Sequence, residues 1–254
     1  MHPNNELSEN DHTPNKNDSS EEVDPDQMTE IAYAEDTPLT WVFGNHPEVK
    51  LIAAFLSEPD VILNKKEASN LADVSRPAVS TYLEPMIECG AIQERTRSGQ
   101  VQMYSLGDIE AIDTFRRLES KLLSQNYDTT KEFPKGSAGT DPNPELDVVE
   151  PYAEDTPLTW VFGDHPESKI VAAMLSEPDY AFSITDWSTV AGVSRGAVNN
   201  HSDQMVQYGI VEDLGTQGRK HLYQLADTEI TQLVRTLESQ LLRSWYEINP
   251  DTTD

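Results

Sequence analysis

The chain has a single cysteine, Cys89, and few basic residues. One cysteine excludes a disulfide within the chain and favours a reducing compartment. Only 18 Lys and Arg residues stand against 45 Asp and Glu residues, and the formal net charge is -27 over 254 residues. The longest apolar run, residues 51–56, is far too short to span a bilayer, and the polar N-terminus has no apolar signal region. We therefore expect a soluble, cytoplasmic protein.

The common motifs of catalysis are also missing. The sequence has no Cys/His cluster with metal-ligand spacing, no phosphate-binding Gly-rich loop and no Gly-x-Ser-x-Gly turn. Carboxylates are so numerous that a pair of them carries no information. His46 and His165 each precede a proline at a predicted helix start, where a structural capping role is expected. We predict that the protein is not an enzyme and has no metal site and no cofactor.

The acidic residues are distributed over every segment of the chain. Repulsion among these negative charges destabilises a compact state in dilute salt. Molar salt shortens the Debye length to about 3 Å and removes most of this repulsion. The composition resembles that of haloarchaeal proteins, so a halophilic archaeal source is expected. An acidic protein that binds partners or mimics nucleic acid is the alternative.

The chain contains one long sequence repeat. Residues 34–44 (AEDTPLTWVFG) recur letter for letter at residues 153–163, and at this offset of 119 residues 42 of 90 positions are identical. A repeat of this length is a whole small domain. The predicted organisation is a disordered acidic segment (1–33), domain 1 (34–123), a flexible linker (124–152), domain 2 (153–246) and an acidic tail (247–254).

Within each repeat, local signals mark several helices. Pro38 and Gly44 bound a short helix, and Asn45 with Glu48 suits a capping box for the next one. Asn64 with Glu67 predicts the start of a second helix, as Ser183 with Asp186 does in the other repeat. The third helix is expected to begin after a serine cap, Ser75 or Ser194. Pro85 should kink or end the third helix of the first repeat.

The remainder of each repeat has a different periodicity. Residues 91–106 and 210–225 alternate around a Gly-containing turn and predict a β-hairpin. A final helix is predicted from about residue 108 to 123, and from 227 to about 246. Its apolar residues recur at helical spacing. This face is expected either to form a homodimer, or to pack within its own domain or against the other repeat.

This order of elements, and the residues that join the second and third helices, resemble winged helix-turn-helix proteins. The residues are 71–79 (LADVSRPAV) and 190–198 (VAGVSRGAV). Each repeat is similar to single-domain archaeal regulators related to the ArsR and MarR families. The resemblance implies a mainly α fold with small β wings (α+β), as two winged helix-turn-helix domains in tandem. It also implies a third helix that enters the major groove of double-stranded DNA.

On this resemblance, the DNA-binding residues are those at the exposed starts of the second and third helices and in the wings. Arg and Asn side chains suit guanine and adenine edges, respectively, and basic wing residues suit phosphates. In the first repeat these residues are Lys65, Lys66, Ser75, Arg76, Ser80, Thr81, Tyr82, Arg95, Arg97 and Gln100. In the second repeat they are Ser194, Arg195, Asn199, Asn200, His201, Gln217, Arg219 and Lys220.

The two copies differ most in this predicted reading surface. Residues 34–60 match their counterparts at 22 of 27 positions, but residues 61–107 match at only 12 of 47. Two reading heads with distinct sequence preferences would give this contrast, as would drift of exposed residues. The expected function is sequence-specific DNA binding by a transcription regulator with two linked heads. A tandem winged-helix subunit for protein interaction, of the chromosome-condensing type, and a plasmid replication initiator are the alternatives.

Overall fold

The computed structural model describes residues 36–58, 60–127 and 155–250. The predicted N-terminal segment (1–33), most of the linker and the last four residues lie outside this part. The first repeat contains α1 (Pro38–Phe43), α2 (Pro47–Ser57), α3 (Lys65–Leu71), α4 (Arg76–Glu88), β1 (Ile92–Ser98), β2 (Val101–Leu106) and α5 (Glu110–Tyr127). The second contains α6 (Pro157–Phe162), α7 (Pro166–Ser176), β3 (Phe182–Ser183), α8 (Ile184–Val190), α9 (Arg195–Gln207), β4 (Val211–Gln217), β5 (Lys220–Leu225) and α10 (Glu229–Ile248).

The fold is mixed α+β, and several helix starts follow the sequence prediction. Asn64 and Glu67 form a capping box at α3, and Ser183 forms the corresponding box at α8. Ser75 and Ser194 accept hydrogen bonds from the free backbone N–H groups in the first turns of α4 and α9. These side chains replace the water that the unpaired N–H groups would otherwise bind, so they fix where each helix begins.

One local prediction is wrong. The capping box at residues 45–48 does not form: His46 occupies the N-cap position of α2 without a capping hydrogen bond, and Glu48 is buried. Pro85 lies inside α4, three residues before its last residue, and it does not shorten the helix, since α4 and α9 both contain 13 residues. Pro85 lies near the C-terminal end, where it removes one backbone hydrogen bond, and the buried Leu83 and Met86 hold that turn against the core.

Both predicted hairpins form, and one of them gains a strand. β1 and β2 make a two-stranded antiparallel sheet, whereas the second sheet has the order β3-β5-β4. In β3, Phe182 pairs with Tyr223. At the equivalent place in the first repeat, Leu63 and Tyr104 form only an isolated bridge. A two-residue strand carries too little periodicity to be recognised from sequence.

The two repeats share one hydrophobic core. The rings of Phe43 and Phe162 are stacked with centroids 3.7 Å apart, and Phe115 meets Phe162 edge-on at 5.8 Å. Helix α5 packs along α10, and Thr114 donates a hydrogen bond to Gln240 over 2.7 Å. The apolar faces of the terminal helices therefore cover each other within one chain, which is one of the arrangements left open by the sequence.

Reciprocal contacts relate the two repeats by an approximate two-fold axis. Lys121 near the end of α5 pairs with Glu229 at the start of α10, at 2.5 Å, and Arg243 near the end of α10 pairs with Glu110 at the start of α5, at 3.5 Å. Helices α5 and α10 are thus antiparallel. Because Phe43 faces its own counterpart, Phe162, the axis passes between them, as in an isologous dimer interface.

Candidate nucleic-acid interface

The outer faces of α4 and α9 carry two exposed polar surfaces, which we call the recognition ridges. The first ridge consists of Arg76, Ser80 and Thr81. The second ridge consists of Arg195, Asn199 and Asn200 at the equivalent positions. All six residues are exposed, and neither repeat covers the ridge of the other. No acidic residue lies among the six, in a chain where acids outnumber basic residues by 45 to 18.

Buried residues on the opposite face of each helix hold the ridges outward. In α4 these are Val79, Leu83 and Met86, and in α9 they include Val198 and Met205. Residues three and four apart share a helix face, so burying this set turns the intervening positions toward solvent. The ridges are therefore presented on rigid helices that are anchored in the common core.

The start of α3 lies beside the first ridge. The Lys65 ammonium donates a hydrogen bond to the Ser80 hydroxyl over 3.3 Å and lies 6.0 Å from the centroid of the Tyr104 ring. Lys66 is exposed on the same turn. The Thr81 hydroxyl donates to the backbone oxygen of Pro77 over 3.1 Å. The structure thus brings two predicted phosphate-contacting residues next to the predicted base-reading residues.

The first hairpin presents its basic residues to solvent. Arg95 and Arg97 are exposed, and each donates through Nε to a residue on β2: Arg95 to Ser105 over 2.8 Å and Arg97 to Gln102 over 3.2 Å. Gln100 is exposed in the turn between the strands. These cross-strand bonds orient the guanidinium groups along the hairpin. The segment 65–105 contains five basic and five acidic residues, so it is neutral in an acidic chain.

The second hairpin carries a weaker positive charge. Gln217, Arg219 and Lys220 are exposed at its tip, and the Lys220 ammonium lies 3.8 Å from an Asp186 carboxylate oxygen. The segment 184–224 contains three basic and four acidic residues. Nonspecific attraction to phosphate is therefore weaker here than in the first repeat.

Two predicted reading residues, Tyr82 and His201, lie off the ridges. Both are only partly exposed, Tyr82 beside Glu48 and His201 beside Glu167. The His201 ring nitrogen is 3.7 Å from Glu167, and the charge of Glu48, followed by burial, raises the pKa of Tyr82. Their position in the helix, one residue beyond the exposed pair, rotates them toward the core by about 100°.

His46 and His165 lie on the two-fold axis, in a polar cluster that the sequence did not predict. Their rings are stacked with centroids 3.6 Å apart and 10° between planes. Each ring nitrogen contacts a carboxylate of the other repeat: His46 with Glu167 at 3.3 Å, and His165 with Glu48 at 3.2 Å. These reciprocal bonds fix the angle between the repeats, and so the relative position of the two ridges.

Two glycines make room for this cluster. Gly44 and Gly163 both have φ of +84°, a conformation that side chains rarely adopt. A Cβ atom on Gly44 would come within 2.6 Å of His46 and 2.7 Å of Glu167, and one on Gly163 would meet Glu48 at 2.6 Å. Glycine is therefore required here both for the turn after α1 or α6 and for the close approach of the other repeat.

The Glu167 carboxylate is 8% exposed but remains favoured in its charged form. Burial alone would raise the pKa of Glu167, but a hydrogen bond with His46, a backbone hydrogen bond and the proximity of His201 more than offset it, so the net pKa is lowered. The cluster does not have the geometry of a metal centre: among the described residues, no group of three or more His, Cys, Asp or Glu side chains could hold a metal ion.

One sequence signal pointed to this cluster. The eleven identical residues 34–44 and 153–163 include the turns that lead into it. An interface around a two-fold axis places each residue against its own counterpart, so both copies must satisfy the same packing. The near-identity of residues 34–60 with their counterparts follows from this requirement.

No protein-family model, no curated protein and no solved structure matches the chain. In the part of the chain that the structure describes, none of the helices is both long and apolar enough to cross a membrane.

Proposed function

We propose that this protein binds double-stranded DNA in a sequence-specific manner and regulates transcription, with its two repeats acting as winged helix-turn-helix reading heads. The observation that carries this proposal is the pair of recognition ridges. Each ridge begins with an arginine at the same position, is uncovered, and lies on a helix whose N-terminus is fixed by a serine cap. An exposed helix of this kind fits the major groove of B-DNA, with its N-terminal residues facing the bases.

The two ridges offer different hydrogen-bonding groups. Arg76 and Arg195 can each form two bonds to a guanine, whereas Asn199 and Asn200 can each form two bonds to an adenine. The first ridge has Ser80 and Thr81 instead, which discriminate less between bases. The two heads are therefore expected to prefer different base sequences around a common guanine contact.

The relative position of the heads limits the shape of the DNA site. A flexible tether would allow direct repeats at variable spacing. The shared core and the His–Glu cluster instead relate the heads by a two-fold axis, and a two-fold protein matches two-fold DNA. The expected site is an inverted repeat with a fixed spacing and unequal halves. A replication initiator that reads direct repeats is not favoured by this arrangement.

The negative charge of the chain is compatible with DNA binding in concentrated salt. Counterion release normally makes DNA affinity fall steeply with salt, so contacts to phosphate contribute little at molar concentrations. Direct contacts to base edges and fit to DNA shape must then supply most of the affinity. A halophilic archaeal cytoplasm is the setting we propose, since strong screening also removes the self-repulsion of a chain with a charge of -27.

Selection of bound fragments from a random duplex pool in 2 M KCl, followed by fluorescence anisotropy, tests this function. The expected outcome is one enriched inverted repeat. Arg76→Ala should weaken binding to it by about 1–3 kcal/mol. Arg117→Ala removes the same charge from an exposed position on α5 and should change the affinity by less than about threefold, or about 0.7 kcal/mol.

Two results separate the parts of the proposal. If no selected fragment competes better than random duplex, DNA binding is rejected. If a direct repeat is selected, DNA binding stands and the two-fold arrangement of the heads on DNA is rejected. The alternative of a protein-interaction subunit is favoured by one separate feature, an aromatic groove.

A further inference from the structure

The groove lies where the end of α4 meets α6 and α10. It has a volume of about 560 Å³ and is lined mainly by apolar and aromatic side chains. Its lining includes Trp160 and Trp245, whose ring centroids are 5.4 Å apart, and Tyr246, whose ring is perpendicular to that of Trp245. Leu242 is 38% exposed and Tyr246 is 45% exposed at this site.

The groove lies where the two repeats differ in sequence. Trp41, the counterpart of Trp160, stacks flat on Tyr208 with ring centroids 5.8 Å apart. The residue equivalent to Tyr208 is Cys89, a small and fully buried side chain. Trp160 instead packs against Trp245, whose counterpart in the first repeat is Asn126, so the aromatic surface at this site is built by α6 and α10. Partly exposed aromatic side chains around a concave surface are typical of binding sites.

Among the described residues that line the groove, Glu88 and Asp155 are charged, and there is no Lys or Arg. The Asp155 carboxylate accepts a hydrogen bond from the Trp160 indole N–H over 2.6 Å, which fixes the orientation of this ring. The Glu88 backbone oxygen accepts a hydrogen bond from Asn249 over 3.1 Å, so the end of α4 is tied to the end of α10. The groove is thus a preformed aromatic surface with an acidic rim.

We propose that this groove binds a segment of a partner protein in which an arginine is flanked by proline or leucine. A guanidinium group stacks favourably on an indole ring and can form two hydrogen bonds with a carboxylate such as Glu88. Proline and leucine fill aromatic-lined grooves and lose little conformational entropy in an extended segment. This inference does not depend on DNA binding, since the groove shares no residue with the recognition ridges.

Fluorescence anisotropy of the full chain with a labelled peptide, Ser-Pro-Arg-Pro-Leu-Ser, in 2 M KCl and without DNA tests this site. Saturable binding is expected. Replacing the arginine of the peptide by glutamate should weaken binding at least tenfold, because glutamate can neither stack on the indole rings nor form hydrogen bonds with the Glu88 carboxylate. Equal binding of the two peptides, or no binding of either, overturns the proposal.

Variants of the protein locate the site. Tyr246→Ala and Glu88→Gln should each weaken peptide binding at least fivefold. Tyr127→Ala, at the exposed end of α5, and Glu84→Gln, on α4 outside the groove, are matched controls and should leave it unchanged. If the controls weaken binding as much as the groove variants do, the peptide binds elsewhere. Unchanged circular dichroism of all four variants shows that the fold is intact.

Discussion

Replacing Phe162 by alanine should loosen the first repeat although the substitution lies in the second. The Phe162 ring is fully buried and contacts two rings of the first repeat, Phe43 at 3.7 Å and Phe115 at 5.8 Å. Truncation of a buried phenylalanine costs about 3–5 kcal/mol, and this includes the aromatic pair contacts of about 0.5–1.5 kcal/mol each. Small domains have only about 5–15 kcal/mol of stability, so the change is a large part of the total.

Urea unfolding and amide hydrogen exchange in 2 M KCl measure this effect. We expect a single unfolding transition at a lower urea concentration, and faster exchange in α1 and α5 of the first repeat. Phe182→Ala is the matched control, because Phe182 is also fully buried but meets the ring of Tyr180 in its own repeat. Its local effect on exchange should be largest around β3 and β5.

Two results would refute the reasoning about a shared core. One is a loss of less than about 1 kcal/mol for Phe162→Ala, which is below the range for burial of a phenylalanine ring. The other is a split into two transitions in which the first repeat keeps its original midpoint. Either result would mean that the two repeats fold as independent domains joined only by the chain between them.

Two further predictions concern buried groups and strained turns. Burial, partly opposed by Arg235, raises the pKa of Glu238 to about 7. Because the folded state then holds the proton more tightly than the unfolded state, stability should fall as pH rises from about 4.5 to above 7. Glu238→Gln should remove this fall and add about 2 kcal/mol at pH 8 in urea unfolding, whereas the exposed control Glu247→Gln should leave the pH dependence intact. Gly44→Ala should lower the thermal midpoint by a shift that corresponds to a loss of 2 kcal/mol or more in stability. The positive φ strains an alanine backbone, and the new Cβ would also collide with neighbouring side chains. Gly99→Ala is the control, because Gly99 also has a positive φ but no atom lies within 4 Å of the new Cβ, and it should cost about 1 kcal/mol of stability. If both variants lose the same stability, the collision at Gly44 does not contribute.

Local chemistry made the secondary structure predictable. Asn64 and Ser75 carry side-chain oxygens suited to free N–H groups, and the hairpins alternate with a period of two, so the elements could be placed from sequence. Pro85 did not shorten α4, because the buried Leu83 and Met86 hold its last turns against the core. The exposed ridges were also predictable from helical spacing, apart from Tyr82 and His201.

The arrangement of the repeats was not predictable in the same way. Apolar residues recur every three or four positions in α5 and α10, so each helix has a face to bury. Many apolar surfaces could cover such a face equally well. Only the folded chain shows that they bury it against each other. The aromatic groove likewise depends on which ring packs beside each equivalent tryptophan, Trp245 beside Trp160 and Tyr208 beside Trp41, and only the folded chain shows this.

The sequence by itself determined the duplication, the order of elements in each repeat, the helix caps and the acidic character of the chain, because these depend on residues close together or on composition alone. The tertiary structure decided that the repeats share one core around a two-fold axis, that His46 and His165 stack on that axis, and that the recognition ridges are held in a fixed relation. The physical reason is that hydrogen bonds in a cap act over three or four residues, whereas packing across an axis joins residues 119 positions apart, for which the linear pattern offers many equivalent solutions.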